Sequence, residues 1–443
     1  MTDQVAESSR ARPKIAVIGA GSYVFSLGLL YDLIVKHRLA GSRLALMDVD
    51  EEKAAVMARI AGRMARDAGI EVDIEPTADR RAALRDADFV TVSAAIEIRR
   101  RWEMDKEALR RHGIREILSE CGGVGGLSYA LRSAWLVLGI ARDMDALCPA
   151  AWLLNTTNPL PRVVGAVTRH TLIRTVGFCN VAWGGEDHYE NVGGLLGRDP
   201  RELNVVSGGL NHFAWLLSVH DRRNGEDLMP AVRAAVESRS FGGPITMGCW
   251  RQYGWLPLSG DSHIGEFLPF DPAISQELIA HHGDDRERAE RRAALLEAAA
   301  GERPWQTLLK GRAWERPGDL IHALSTGTEL RLDMVNVPNS GAIDGLPDNA
   351  VVEVPARVVT AEKRVGLWLS AIGPLPDPIA ELCGPISAVH SLAADAAATG
   401  NPALLEEAIC IDPAIADKPA ALRALTELIA AHADLLPQFS SVP

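Results

Sequence analysis

Two glycines one residue apart, Gly19 and Gly21, fall directly between an apolar run, Lys14-Ile15-Ala16-Val17-Ile18, and a stretch with helical spacing of Val24, Phe25, Leu27, Leu30, Leu33 and Ile34. Glycines in that setting let a backbone approach a pyrophosphate, and the helix N-terminus behind them favours its charge. Asp48 closes the next apolar run, where a carboxylate accepts bonds from ribose hydroxyls and repels a 2′-phosphate; the pattern favours NAD over NADP. Asp50 competes for that role, or else caps the helix that follows. Val24 stands where the usual third glycine would be, which implies looser helix–strand packing. Further on, Tyr253, Asp261, His263 and Glu266 crowd the stretch Trp250 to Phe267, a concentration of groups able to move protons. Glu120 adjoins a glycine-rich loop, Gly122-Gly123-Val124-Gly125-Gly126. Cys179 and His212 are a thiol and an imidazole far apart in sequence, and taken alone they read as structural.

The elements that must position these groups alternate. Strands are expected at 14–18, 43–48, 87–93 and 151–155, with helices after the first glycine turn and over 51–68. The expected fold is α/β, a Rossmann-like doubly wound parallel sheet with a mixed α+β C-terminal substrate domain, as in lactate and malate dehydrogenase relatives. The division is placed near residue 200: 1–200 for the dinucleotide and 201–443 for substrate and metal. Residues 275–300 read as a charged, alanine-rich helix with a solvated face, and 400–436 as helical.

Composition narrows the classes. A chain of 443 residues with a formal net charge of −12 lacks the clustered cations that nucleic acid requires. No apolar run approaches a bilayer span, and the polar opening MTDQVAESSRARP has no secretory core; the expectation is a cytoplasmic enzyme with neither nucleic acid nor membrane as partner. Six scattered cysteines form no C-x-x-C pair and are expected as free thiols.

Several segments occur in an order that resembles one family. Gly19-Ala20-Gly21-Ser22 with Phe25, Asn158-Pro159, Gly177-Phe178-Cys179, Gly209-Leu210-Asn211-His212-Phe213, Val335-Asn336-Val337-Pro338-Asn339 and Val352-Glu353-Val354-Pro355-Ala356 are similar to the motifs of family 4 glycoside hydrolases. The resemblance implies an oxidative elimination outside the paired-carboxylate scheme of most glycosidases. NAD removes a hydride from C3 of the sugar, a base takes the acidified C2 proton, the glycosidic oxygen leaves, water adds, and the hydride returns. It also implies Cys179 and His212 as ligands of Mn²⁺ or another divalent transition metal, and Gly19, Gly21, Ser22, Phe25, Asp48 and Asn158 against the cofactor. Asp261 is the first choice for the base and Tyr253 the second. Glu120 is assigned as a sugar ligand or as the leaving-group acid. Asn158, Asn180, Asn211, His263 and Arg100 are expected against substrate.

The sequence departs from the family pattern at Ser119-Glu120-Cys121, and Asn180 follows the metal cysteine where many relatives carry His or Asp. Arg99, Arg100 and Arg101, before Asp105, are either a clamp for an anionic sugar or an exposed basic helix start. Trp183, Trp215, Trp250 and Trp255 are either sugar platforms or core anchors. The expected substrate is a small unphosphorylated hexoside or uronide, and the expected assembly a homodimer or homotetramer. The alternatives are a 6-phospho-glycosidase of the same family, a 2-hydroxy-acid dehydrogenase and a non-catalytic NAD-binding protein.

Overall fold

A computed structural model describes residues 4–6, 12–22, 25–183, 189–239, 241–269, 285–309, 315–361 and 364–440. Val24 and residues 275–284 lie outside them. The strands are β1 (Gln4–Ala6), β2 (Lys14–Ile18), β3 (Arg43–Met47), β4 (Asp73–Thr77), β5 (Phe89–Val92), β6 (Trp152–Asn155), β7 (Arg174–Gly177), β8 (Leu203–Leu210), β9 (Phe213–Asp221), β10 (Leu330–Pro338), β11 (Ile343–Asp344), β12 (Val351–Ala361), β13 (Arg364–Leu369) and β14 (Gly373–Pro374). Six of them, in the order β4-β3-β2-β5-β6-β7, run parallel, which is the doubly wound arrangement expected from the alternation.

Successive residues of β2 and β3 face opposite sides of the sheet. Ile15, Val17, Leu44 and Leu46 enter one apolar cluster, while Ala16, Ile18, Ala45 and Met47 enter the other. Helices α1 (Ser26–Tyr31) and α2 (Glu51–Ala68) cover the first face. The second is covered by α3 (Arg80–Leu84), α4 (Ile98–Arg111), α5 (Gly123–Leu147), α6 (Leu160–His170) and the C-terminal helices Asp377–Thr399, Pro402–Ile411 and Lys418–Ala431. Helix α5 is long and apolar enough by composition to cross a membrane, but it lies mostly buried inside the chain. The helix expected through Ile34 changes form on the way: α1 ends at Tyr31 and continues directly as a π-helix, Asp32–Lys36.

Beyond β7 the sheet does not stop. β10 pairs antiparallel with β7, β12 with β10, and β13 with β12; β8 joins β12 and carries β9. The ladder aligns Gly177 of β7 with Asn336 of β10, Asn336 with Glu353 of β12, and Glu353 with Gly209 of β8. One row across the sheet therefore runs from the dinucleotide half into the C-terminal half.

Candidate active site

Because β2, β5, β6 and β7 are parallel, their carboxyl ends share one edge, the place where ligands sit in such sheets. Gly19 follows β2 with φ +83°, and a Cβ there would lie 2.2 Å from the Ser93 carbonyl oxygen, so only glycine fits. Gly21 donates its amide to Asp48 Oδ2 at 2.9 Å, and Asp50 donates its own to Asp48 Oδ1 at 3.0 Å. Asp48 thus braces the turn, and each oxygen keeps a lone pair for a ribose hydroxyl. Asp50 is the N-cap of α2, accepting from the Lys53 amide at 3.3 Å, which settles its local job. Ser22 Oγ accepts from the Phe25 amide, and Phe25 with Ser93, Thr156 and Glu315 lines a crevice along this edge.

The chain leaves β7 at Gly177 and reaches Cys179 two residues later. Asn211 and His212 form the two-residue turn between β8 and β9, with His212 at φ +61°. That left-handed conformation costs a non-glycine residue about 1–3 kcal/mol, and such costs concentrate at functional positions. It brings His212 Nε2 to 3.5 Å from Cys179 Sγ. Burial pushes the His212 imidazole well below its ordinary range, so the ring is neutral and able to ligate. Burial, with Glu353 nearby, pushes the Cys179 thiol up. His263 packs edge-on against His212, with ring centroids 4.6 Å apart, and its own imidazole is lowered by burial.

Beneath this pair, Glu353 Oε2 accepts from both Asn211 Nδ2 and Asn336 Nδ2, each at 2.9 Å. The aligned row of the sheet puts Asn336 beside Glu353, and the β8–β9 turn brings Asn211 to them. Burial raises the Glu353 carboxyl to about 7, and the two amides only partly offset it. The folded chain therefore keeps a proton that the unfolded chain releases above about pH 4.5. Stability should fall as pH rises from about 4.5 to 7 and level off above, by at most about 3 kcal/mol from this group. Urea unfolding midpoints measured across that window check it: Glu353→Gln should lessen the slope, the remainder coming from Glu116, Glu266 and Glu315, whose carboxyls burial also raises, and an unchanged slope would mean that Glu353 is ionised throughout.

Glu120 sits in the loop before α5. Its Oε1 accepts from Asn158 Nδ2 at 2.9 Å, and burial raises its pKa. Glu266 reaches the same loop, its Oε1 accepting from the amides of Glu120 at 2.7 Å, Cys121 at 3.0 Å and Gly122 at 3.5 Å. A Cβ on Gly122 would lie 2.0 Å from the Glu266 carbonyl oxygen, which is why this loop needs glycine at the contact. Cys121, quoted in the sequence only as part of a longer segment, and Glu266, named there only among the groups able to move protons, close on His212: one donor atom from each of the three lies within 4.8 Å of the others, and all are buried. Their signal in the sequence was slight, a soft donor inside a glycine loop and the last acid of D-x-H-x-x-E.

Other expected site residues fall elsewhere. Asp261, the first choice for the base, has both carboxylate oxygens engaged at the N-terminus of the helix Pro244–Tyr253. It accepts from the amides of Ile245 at 2.7 Å and Thr246 at 2.9 Å, and from the Thr246 hydroxyl at 2.6 Å. A carboxylate spent on three donors is a cap, not a free base. Asp261→Ala should therefore destabilise the fold by about 2 kcal/mol, read as a lowered melting temperature. An unchanged melting curve with lost turnover would return the residue to catalysis. Tyr253 ends the same helix, edge-on to Trp215 with ring centroids 6.2 Å apart, and its hydroxyl makes no hydrogen bond to a described residue. Asn180, half-buried, follows Cys179.

Arg100 is exposed and pairs with Glu97 at 2.8 Å, and buried Arg101 pairs with Asp434 and Glu97. Asp105 is wholly buried, bonded to Ser128, Arg132 and His432. Trp183 and Trp215 are core anchors, and Arg233 stacks on the rings of Trp250 and Trp255.

With that geometry in place, likeness to known proteins is informative. A probable 6-phospho-beta-glucosidase of Bacillus subtilis is 30% identical, the match covering 96% of this chain and 98% of that protein. An alpha-galactosidase of the same organism is 28% identical over 96% of this chain and 99% of its own length. The structure of a 6-phospho-beta glucosidase from Thermotoga maritima, solved with manganese, NAD+ and glucose-6-phosphate, has a TM-score of 0.77 at 21% identity, covering 95% of this chain and 98% of that one. The family 4 glycosyl hydrolase model matches residues 14–195 and the model of that family's C-terminal domain matches 207–415, so the chain belongs to the family 4 glycosyl hydrolases.

Proposed function

We propose that this chain hydrolyses an unphosphorylated hexoside, using NAD and a divalent ion, Mn²⁺ or another transition metal. The observation that carries the reading is the meeting of Cys179 and His212 at 3.5 Å, on the sheet edge that also presents the glycine turn. Both halves fit their groups. Gly19 and Gly21 leave room where a Cβ would collide, and Glu266 Oε2, beside His212, is a buried polar atom with no partner among the described residues. Such atoms each cost about 1–3 kcal/mol unless something fills the space. When bound, the dinucleotide supplies reversible hydride removal at C3, and the ion supplies positive charge beside the sugar oxygens.

The chain's own residues do the rest. The turn at Gly19, Gly21 and Ser22 cradles the pyrophosphate, with Phe25 beside it, and Asp48 meets the ribose. Asn158 holds Glu120 in place at the same edge. Glu120, whose carboxyl burial raises above its ordinary range, donates to the departing glycosidic oxygen. Tyr253 removes the C2 proton, because Asp261 is spent as a cap. Asn180 and His263 contact the sugar. We divide the chain at about residue 200, with the dinucleotide in the first part and substrate and metal in the second. The six cysteines are all free thiols, which suits a reducing cytoplasm.

A neutral sugar is favoured over a uronide or a phosphosugar because Arg100 and Arg101 already pair with carboxylates of the chain. The test is hydrolysis of aryl α- and β-glucosides, galactosides, glucuronides, galacturonides and 6-phosphoglucosides, with NAD and Mn²⁺ present or omitted. Hydrolysis of a neutral hexoside that needs both additions supports the reading. Preference for a uronide or phosphosugar overturns the substrate class, and turnover indifferent to both additions overturns the chemistry.

A further inference from the structure

Glu315 has no place in the reaction outlined above, yet it lines the crevice at the carboxyl edge of the sheet with Phe25, Ser26, Ser93 and Thr156. Its Oε2 is buried and has no hydrogen-bond partner among the described residues, and Thr91 Oγ1 on the same crevice has none either. Arg316, next to it in the chain, pairs instead with Asp319 at 2.6 Å. A buried carboxyl that nothing meets is costly, and a bound group of complementary charge offsets that cost. β3 and β5 flank β2 on opposite sides, and the glycine turn leaves β2 between them. With the adenosine ribose at Asp48, after β3, the other half of the dinucleotide crosses to the ends of β5 and β6, where Ser93 and Thr156 stand on the crevice with Glu315. Cys179 follows the next strand, β7, and lies near enough for the charge of Glu315 to raise its thiol. Glu315 thus stands between the glycine turn and the metal ligand, where a nicotinamide has to be for a hydride to pass to and from the sugar.

We propose that Glu315 recognises the nicotinamide end of the dinucleotide, its unpartnered carboxylate oxygen meeting the cationic ring and its carboxamide N–H, so that the site holds NAD+ more tightly than NADH. This rests on the dinucleotide reading above. A carboxylate would repel the pyrophosphate, whereas the nicotinamide is the one part of the cofactor that carries positive charge. That charge is present only in the oxidised form, so a carboxylate beside the ring stabilises NAD+ relative to NADH. Burial raises the Glu315 carboxyl to about 7, and an adjacent cation lowers it again. A site weighted in this way favours return of the cofactor to its oxidised form, which a hydrolysis with no net oxidation requires.

The test uses the full chain freed of bound nucleotide, titrated calorimetrically at about pH 8 with NAD+, NADH and ADP-ribose, which lacks the nicotinamide. Wild type should bind NAD+ more tightly than NADH. Glu315→Gln should raise the Kd for NAD+ by about 10-fold or more and that for NADH by about 3-fold or less, because the uncharged amide no longer answers the ring. Its Kd for ADP-ribose should stay within about twofold of wild type. Melting curves verify folding; should Glu315→Gln fail to fold, Glu315→Asp, which keeps the charge but withdraws it, decides by the same three Kd values. Equal losses for NAD+ and NADH, equal losses for all three ligands, or three wild-type Kd values overturn this proposal and leave the dinucleotide reading intact. A wild type that binds none of the three overturns both.

Discussion

Replacing Cys179 with serine should lower kcat by about 10³-fold or more while leaving dinucleotide binding unaffected. A metal near a developing anion is worth several kcal/mol of transition-state stabilisation, and each 1.4 kcal/mol is about tenfold in rate. Cys179 and His212 are drawn together by two separate elements, the end of β7 and the β8–β9 turn. Serine keeps the shape but is a far weaker anionic donor. The glycine turn lies after β2, so quenching of nicotinamide-region fluorescence on titration with NADH should be that of wild type. Steady-state rates against added Mn²⁺ make the check. Turnover within about tenfold of wild type at saturating metal would remove Cys179 from the reaction.

Glu120→Gln should divide substrates by their leaving groups. General acid catalysis contributes about 10²- to 10⁴-fold where the departing oxygen needs a proton. Alkyl glycosides should lose that much, and nitrophenyl glycosides little, because a phenolate leaves unaided. Burial raises the Glu120 carboxyl, with Asn158 opposing the shift from 2.9 Å. The wild-type rate should therefore fall as pH rises through that raised pKa, since the proton to be donated is lost. The glutamine variant should be slow with alkyl glycosides and should lack that limb. Equal losses for both leaving groups would assign Glu120 to sugar binding instead.

The alternation of strands and helices in the first half was legible because buried parallel strands are short apolar runs and glycine marks the turn. The approach of Cys179 to His212 was not legible in spacing, since it depends on a ladder that sets Gly177, Asn336, Glu353 and Gly209 in one row. Only the resemblance of the surrounding segments pointed to the pair. The bonds of Asp261 were hidden for a related reason: the helix it caps begins 17 residues earlier, at Pro244. Arg101 likewise read as part of a sugar clamp or of an exposed helix start, because its partner Asp434 lies 333 positions away. Long-range polar pairing leaves almost no trace in a local pattern, whereas burial of apolar faces leaves a strong one.

The continuous sheet sets a rule for how the protein can be divided or lost. β7 is hydrogen-bonded to β6 on one side and β10 on the other, so a chain ending near residue 200 would expose β7 as a bare edge. A naked apolar edge recruits other strands, and the severed piece would associate with itself rather than stay dispersed. The dinucleotide turn and the His212 turn are thus held by one ladder. Neither half can be inherited, truncated or proteolytically trimmed without cost to the other, and the pair should unfold in a single step.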